Sequence, residues 1–192
     1  MNNLNEILDQ LGLEKTITLD DIPNIDLYMD QVIQLFENKY GKTKRNDSEK
    51  VMTKTMINNY AKGKVFFPIQ NKKYSKEHLI LISMIYHLKG ALSINDIKTT
   101  LQGINDKTVK KDFDLEAFYT SYLQLLENNV ESFKHEVTTR EAAVKSEVSK
   151  LTDQDHQYLE QILLIATFVS TSNLYRRVAE KLIDNLEQVK EQ

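Results

Sequence analysis

Cysteine is absent from this chain of 192 residues, which excludes disulfides, thiolate metal sites and a cysteine nucleophile. The absence also suits a reducing cytosol. Turn formers are sparse, with five glycines and two prolines. So few breakers, with abundant Leu, Ile, Glu, Lys and Asn, favour helices over many short strands. Long apolar runs are missing as well. The longest, Ile162 to Val169, is interrupted by Thr167 and falls far below the ~20 residues that span a bilayer. Met1 to Glu6 carries neither a basic nor an apolar signal-peptide region. A glycine-rich phosphate loop and a nucleophile elbow are also lacking. His78, His87, His135 and His156 are scattered, and none forms the i, i+4 pair of a helical metal site. Asp153-Gln-Asp155-His156 reads better as a helix cap than as a cation site. The expectation is a soluble, cytoplasmic protein that is not an enzyme, with no cofactor and no metal.

What is present is enough apolar material for a core, 41% of residues, and a charged fraction of 28%, typical of globular chains. The charges are unevenly spread. Lys39 to His78 holds eleven Lys/Arg against three Asp/Glu, about +8, in a chain of net charge -3. Residues 112–192 hold fifteen acids and eight bases, about -7. A basic island in an acidic chain is the electrostatic footprint of a nucleic-acid surface.

Apolar spacing organises the island's surroundings. Residues 4–11 read as a short helix and 26–39 as a longer one, joined by a connector over 16–23. A basic loop over 41–48 follows. Thr53 caps a helix over 54–62, and Gly63 ends it. Val65-Phe-Phe67 is β-like and stops at Pro68. With Asn71-Lys-Lys-Tyr74 it makes a small hairpin, its basic pair at or just beyond the tip. Ser75 opens an apolar helix that stops near Gly90, and Ser93-Ile-Asn-Asp96 is a capping box for a further short helix.

The helix over 54–62 has the side chains a major-groove helix needs. Thr53, Lys54, Thr55, Asn58 and Asn59 supply short polar groups and a phosphate clamp near its start. Asn both donates to and accepts from one adenine edge, which makes Asn58 and Asn59 candidate base readers. Tyr60, Lys62 and Lys64 are candidate backbone contacts. Lys72 and Lys73 would reach flanking phosphates as a wing. The plainer alternative is a helix end with a solvated lysine face. Val65, Phe66 and Phe67 read as packing residues rather than stacking platforms.

Four stretches carry a family resemblance: Thr53-Lys-Thr-Met-Ile-Asn-Asn-Tyr60, Val65-Phe-Phe-Pro68, Lys73-Tyr-Ser-Lys-Glu-His-Leu79 and Leu92-Ser-Ile-Asn-Asp-Ile-Lys98. In order, they resemble the recognition helix, wing, helix entry and following helix of the MerR-type winged helix-turn-helix. With Asp26-Leu-Tyr-Met-Asp-Gln-Val32 included, residues 22–102 resemble the bacterial domain-of-unknown-function family 1836, a divergent relative of that class. The resemblance implies sequence-specific binding of double-stranded DNA by a transcription regulator. By position it puts Asn58 where the MerR pattern has Arg, and Asn59 and Tyr60 where it has Tyr. Lys64 stands in place of a glycine at the helix exit, and Lys73 in place of an Arg. The long basic loop before Thr53 departs from a tight helix-turn-helix, and the metal-sensing cysteines of some MerR proteins are absent.

The acidic half adds Leu115, Phe118, Tyr122, Leu125 and Asn129 at steps of three and four, then Val137, Val144 and Leu151 at sevens. This is one long amphipathic helix, or two joined near 135–140. The stripe suits a homodimer seam or an intrachain bundle with the last helix, which Thr152-Asp-Gln-Asp155 opens. Ile162 to Phe168, with Tyr158, Tyr175, Phe118, Tyr119 and Tyr122, read as core, or as the lining of a site for an unknown small-molecule or protein effector.

The expected fold is all-α, mainly helical with one small β-hairpin wing. A MerR-like winged helix-turn-helix domain occupies 1–103, a boundary falls in Gly103–Lys111, and a C-terminal helical module occupies 112–192. The expected function is a homodimeric DNA-binding transcriptional regulator acting on an inverted repeat. The alternative is a non-catalytic protein-interaction module built on a degenerate winged helix.

Overall fold

A computed structural model describes residues 4–190, and the side chains of Val189 and Lys190 are left aside. The outermost ends of the expected 1–103 and 112–192 units therefore lie outside the described residues. Seven α-helices are described: α1 (Leu4–Leu11), α2 (Met29–Tyr40), α3 (Lys54–Lys62), α4 (Lys76–Leu88), α5 (Ile94–Lys110), α6 (Leu115–Val148) and α7 (His156–Lys190). Two short strands, β1 (Leu27–Tyr28) and β2 (Lys73–Tyr74), pair antiparallel, Leu27 opposite Tyr74 and Tyr28 opposite Lys73. The mainly helical fold with one small β element is the fold expected.

The core forms around α4. Its residues His78 to Ile85 are all buried, as expected of a helix that is apolar on every side. Neighbouring helices present single stripes to it. Val32, Phe36 and Tyr40 are the buried face of α2, and Ile97, Leu101 and Asn105 that of α5. Both sets repeat every four residues, the period that keeps side chains on one helical face. Leu115 and Tyr119 belong to the same core, with Phe118, Tyr122 and Leu123 against it. The first two turns of α6 are thus part of the N-terminal unit. Gly103 lies inside α5, and the chain turns only at Lys111, whose φ is 60°. The core therefore runs past the boundary expected over 103–111.

Tyrosine hydroxyls tie this unit together. Tyr119 donates to the Ile17 carbonyl at 2.6 Å, and Tyr40 accepts from the Ile17 amide at 3.2 Å. His87 sits between Tyr40 and Tyr122, one ring nitrogen 3.1 Å from each hydroxyl. Burial pushes the His87 pKa down to about 4, so the ring is neutral at physiological pH.

The wing differs from expectation. Val65 and Phe66 are buried core residues and form no strand. The tight turn lies at Gln70–Lys73, closed by the Lys73 amide donating to the Gln70 carbonyl at 2.9 Å. Asn71 and Lys72 at its centre both have positive φ, 51° and 60°, as a two-residue hairpin turn requires. Tyr74 then pairs back to Leu27 rather than to the 65–67 segment.

Beyond residue 123 the chain is an antiparallel helical hairpin. α6 is one uninterrupted helix, and it meets α7 through Val144, Val148 and Leu164, with Leu159 and Phe168 against them. Val137 is also buried. Val137 and Val144 of the α6 stripe are therefore buried within the chain. Leu125 and Asn129 on the same helix stay exposed. Thr152 does not open the last helix. Asp155 does, accepting from the Tyr158 amide at 3.2 Å. Among the described residues, no helix is long and apolar enough to cross a membrane.

Candidate nucleic-acid interface

α3 begins where the sequence expects. The Thr53 hydroxyl accepts from the Met56 amide at 3.1 Å, satisfying a first-turn donor that has no helical partner. The helix ends at Gly63, and Lys64 beyond it takes a left-handed φ of 55°. That is the conformation for which a helix exit ordinarily uses glycine, and the position where the family pattern has one.

Ile57 and Tyr60 anchor α3 to the core. Opposite them, Lys54, Thr55, Asn58, Asn59 and Lys62 are all exposed. Their spacing of one, three, one and three residues puts them on a single helical face. No acidic residue occurs in α3. Lys54 makes an ion pair with Asp30 at 2.8 Å, both partners well exposed. Such a pair contributes only ~0.2–1 kcal/mol, so Lys54 remains free to exchange Asp30 for a phosphate.

Three expected contacts change character. Tyr60 is only 5% exposed, and burial raises its hydroxyl pKa. Its ring is a core residue rather than part of the interface. Lys73 is half-buried in β2, its ammonium 5.3 Å from the centre of the Tyr28 ring. Thr53 is a cap whose hydroxyl is already engaged. Lys72 is exposed at the turn tip, and Lys64 at the α3 exit. Both carry their charge on a backbone of positive φ, a strain that proteins commonly accept at functional sites.

The structure adds groups that the sequence pattern does not single out. Lys98 and Lys110 of α5 line the same open hollow of about 800 Å³ as Lys64. Their signal is weak, because α5 lies outside the basic island and only packing brings it beside the α3 exit. Val51 and Met52 are buried just before Thr53, so the long basic loop is pinned where it enters α3. Asn105 is a second fixing point. Its amide donates to the Val65 carbonyl at 2.9 Å and accepts from the Phe67 amide at 3.0 Å. His78 contacts the Phe67 carbonyl through Nε2 at 3.1 Å and accepts from the Ser75 amide through Nδ1 at 3.2 Å. Nε2 therefore carries the proton of the neutral ring. Burial lowers the pKa of His78, opposed by that Phe67 bond. These contacts hold the segment between α3 and the turn against α4 and α5.

The result is an exposed amide-and-lysine helix face, a mainly apolar hollow at its end edged by three lysines and Asp106, and a lysine-tipped turn. Each rests on a buried anchor. Chemically, such a surface offers cations for phosphate and paired donor–acceptor groups for base edges.

No curated protein and no solved structure matches the chain. The family model described as Domain of unknown function (DUF1836) matches residues 17–122. That span begins at Ile17, which the two tyrosines hold, and ends at Tyr122, the last residue of the histidine–tyrosine bridge. By that match over more than half of its length, the chain belongs to the DUF1836 family.

Proposed function

We propose that this protein is a sequence-specific DNA-binding transcriptional regulator of the MerR-like type, acting as a homodimer on an inverted repeat. The observation that carries this reading is the face of α3. Five exposed polar or basic residues, with no acid among them, stand opposite a buried Ile57–Tyr60 anchor. In a major groove, Asn58 and Asn59 read base edges, while Lys54 and Lys62 hold phosphates. Lys72 at the turn tip and the Lys64–Lys98–Lys110 hollow take the flanking backbone.

Dimerisation belongs to α7 on this reading, since Val137, Val144 and Val148 of α6 are buried within the chain. No charged residue occurs between Glu160 and Arg176. Leu174, Val178 and Leu182 are each 60–61% exposed, and Ile162, Ile165 and Val169 are also exposed. A stretch of 161–175 without charge, continued by exposed Val178 and Leu182, has the hydrocarbon composition of an interface core. Two such hairpins joined as a four-helix bundle bury faces that one hairpin leaves open. Two linked half-site readers then bind far more tightly than one.

The test is fluorescence anisotropy with labelled duplex across a salt series. Lys62→Ala/Lys72→Ala is expected to weaken all duplexes alike and to flatten the salt dependence. Asn58→Ala or Asn59→Ala is expected to reduce discrimination between duplexes. If all of these variants bind like the unaltered chain, the α3 surface is not the interface, and a protein-interaction role for the basic island takes its place.

A further inference from the structure

A largely apolar cavity of about 650 Å³ lies between α1, α6 and α7. No residue of α3 or of the Gln70–Lys73 turn lines it. Its volume is within the range of small-molecule sites, ~300–1,000 Å³. α1 contributes Leu4, Ile7, Leu8 and Leu11, an i, i+3, i+4, i+7 set that forms one apolar face. The opposite wall includes Phe133 and Val137 from α6, and Phe168 and Tyr175 from α7. Leu8 and Val137 are buried at the base, whereas Ile7, Leu11, Phe133 and Tyr175 remain exposed. The three helices thus approach one another without closing over their hydrocarbon. Glu14, just after α1, pairs with Lys134 of α6 at 2.5 Å.

One part of the lining is charged. Arg140 and Glu136 of α6 and Arg176 of α7 are all lining residues, beside the hydroxyls of Thr171 and Ser172. Arg140 gives Nε and Nη2 to a single Glu136 oxygen. Arg176 gives one long bond, 3.3 Å, to Glu180, with both side chains exposed. A guanidinium has five donors in a fork that fits a carboxylate. An exposed i, i+4 pair is weak, so an incoming carboxylate displaces Glu180 at little cost.

We propose that this cavity binds a small amphipathic acid, with its hydrocarbon body against the α1 leucines and Phe133, and its carboxylate on Arg176 and Arg140. An amphipathic cation finds no partner in either arginine, and a neutral hydrocarbon leaves the arginines unused. The bound acid would join α1, which precedes the family-matched region, to the hairpin that follows it. The inference does not depend on DNA binding.

The probe is dodecanoate below its micelle concentration, with the full chain. Calorimetry on the unaltered protein is expected to show saturable binding. The chain has no tryptophan, so Phe133→Trp puts a single reporter in the wall, and its emission is expected to rise and shift to the blue on titration. Arg176→Ala should weaken dodecanoate by about 10-fold, or ~1.4 kcal/mol, and leave dodecanol within about two-fold. Ser172→Leu, which narrows the cavity, should abolish binding while helical circular dichroism is retained. Absence of saturable binding by the unaltered chain overturns the proposal. So does an equal response to dodecanoate and dodecyltrimethylammonium, or dodecanoate binding that neither Arg176→Ala nor Arg140→Ala weakens.

Discussion

Asn58 and Asn59 are adjacent, exposed, and on the same face of α3, yet they need not contribute equally. An amide bidentate to a base discriminates by ~1–3 kcal/mol, so the Asn→Ala change at the reading position should cost about that for the preferred duplex. The same change should leave random duplex unaffected. Lys72→Ala should instead reduce the salt slope by about one phosphate per copy. Titrations of both variants on preferred and random duplex separate the two effects. Asn105 tests the scaffold. It is buried and serves both the Val65 carbonyl and the Phe67 amide. Asn105→Leu leaves those two backbone groups without a partner, at ~1–3 kcal/mol each, and urea denaturation should show a loss of at least that size. His87 gives the pH dependence. Its pKa lies near 4 in the folded chain, against an ordinary 6.5. Between these values the unfolded chain holds more protons, so folding stability falls as pH drops through that window. Each pH unit crossed there removes about 1.4 kcal/mol, so the loss reaches about 3 kcal/mol near pH 4. Denaturation midpoints at pH 7 and pH 4.5 should show it, and His87→Gln should flatten the profile.

At the scale of elements, local chemistry is readable wherever one residue decides the outcome. Thr53 and Ser93 cap the helices they are expected to cap, because a cap is a contact over three residues. The α1 span follows from apolar spacing, and the α3 span from the Thr53 cap and the Gly63 stop. The wing departs from expectation for the opposite reason. Val65-Phe-Phe67 has strand composition, but burial against α5 and the Asn105 bonds take up its backbone groups. The partner of β2 is β1, far away in sequence, and no local pattern announces a long-range pair. Tyr60 illustrates the same limit, since a tyrosine ending a polar helix suits either phosphate or core. The α7 surface provides the test at this scale. Ile165→Glu/Val178→Glu puts charge on its exposed apolar faces without touching Leu164 or Ile183, its buried residues. Light scattering should find a dimer for the unaltered chain and a monomer for the variant, with operator affinity reduced by at least about 100-fold through lost bivalency. A monomeric unaltered chain would remove α7 from the account and leave the α3 surface untouched.

For the whole molecule, the charge contrast and the helical character are legible from composition. The division into units is not, because Leu115, Tyr119 and Tyr122 lie on the long helix of one unit and pack in the core of the other. Ile17 and Tyr122 delimit that core by hydrogen bonds, and the family match has the same limits. A fragment of residues 13–127 should therefore unfold cooperatively by circular dichroism and remain monomeric. It should bind duplex weakly, with the salt dependence of one half-site. A fragment ending at Lys111 lacks Tyr119 and Tyr122 and should lose that cooperativity.

Sequence-specific DNA binding by a symmetric pair of α3 surfaces is the function we propose. Its most direct test is selection of bound fragments from a random duplex pool by the full chain at near-physiological salt. Enrichment of one inverted-repeat motif, with half-sites spaced for two copies, is expected. Recovery of unrelated sequences, with binding that vanishes as salt rises, contradicts it, since only the nonspecific phosphate attraction would then be present.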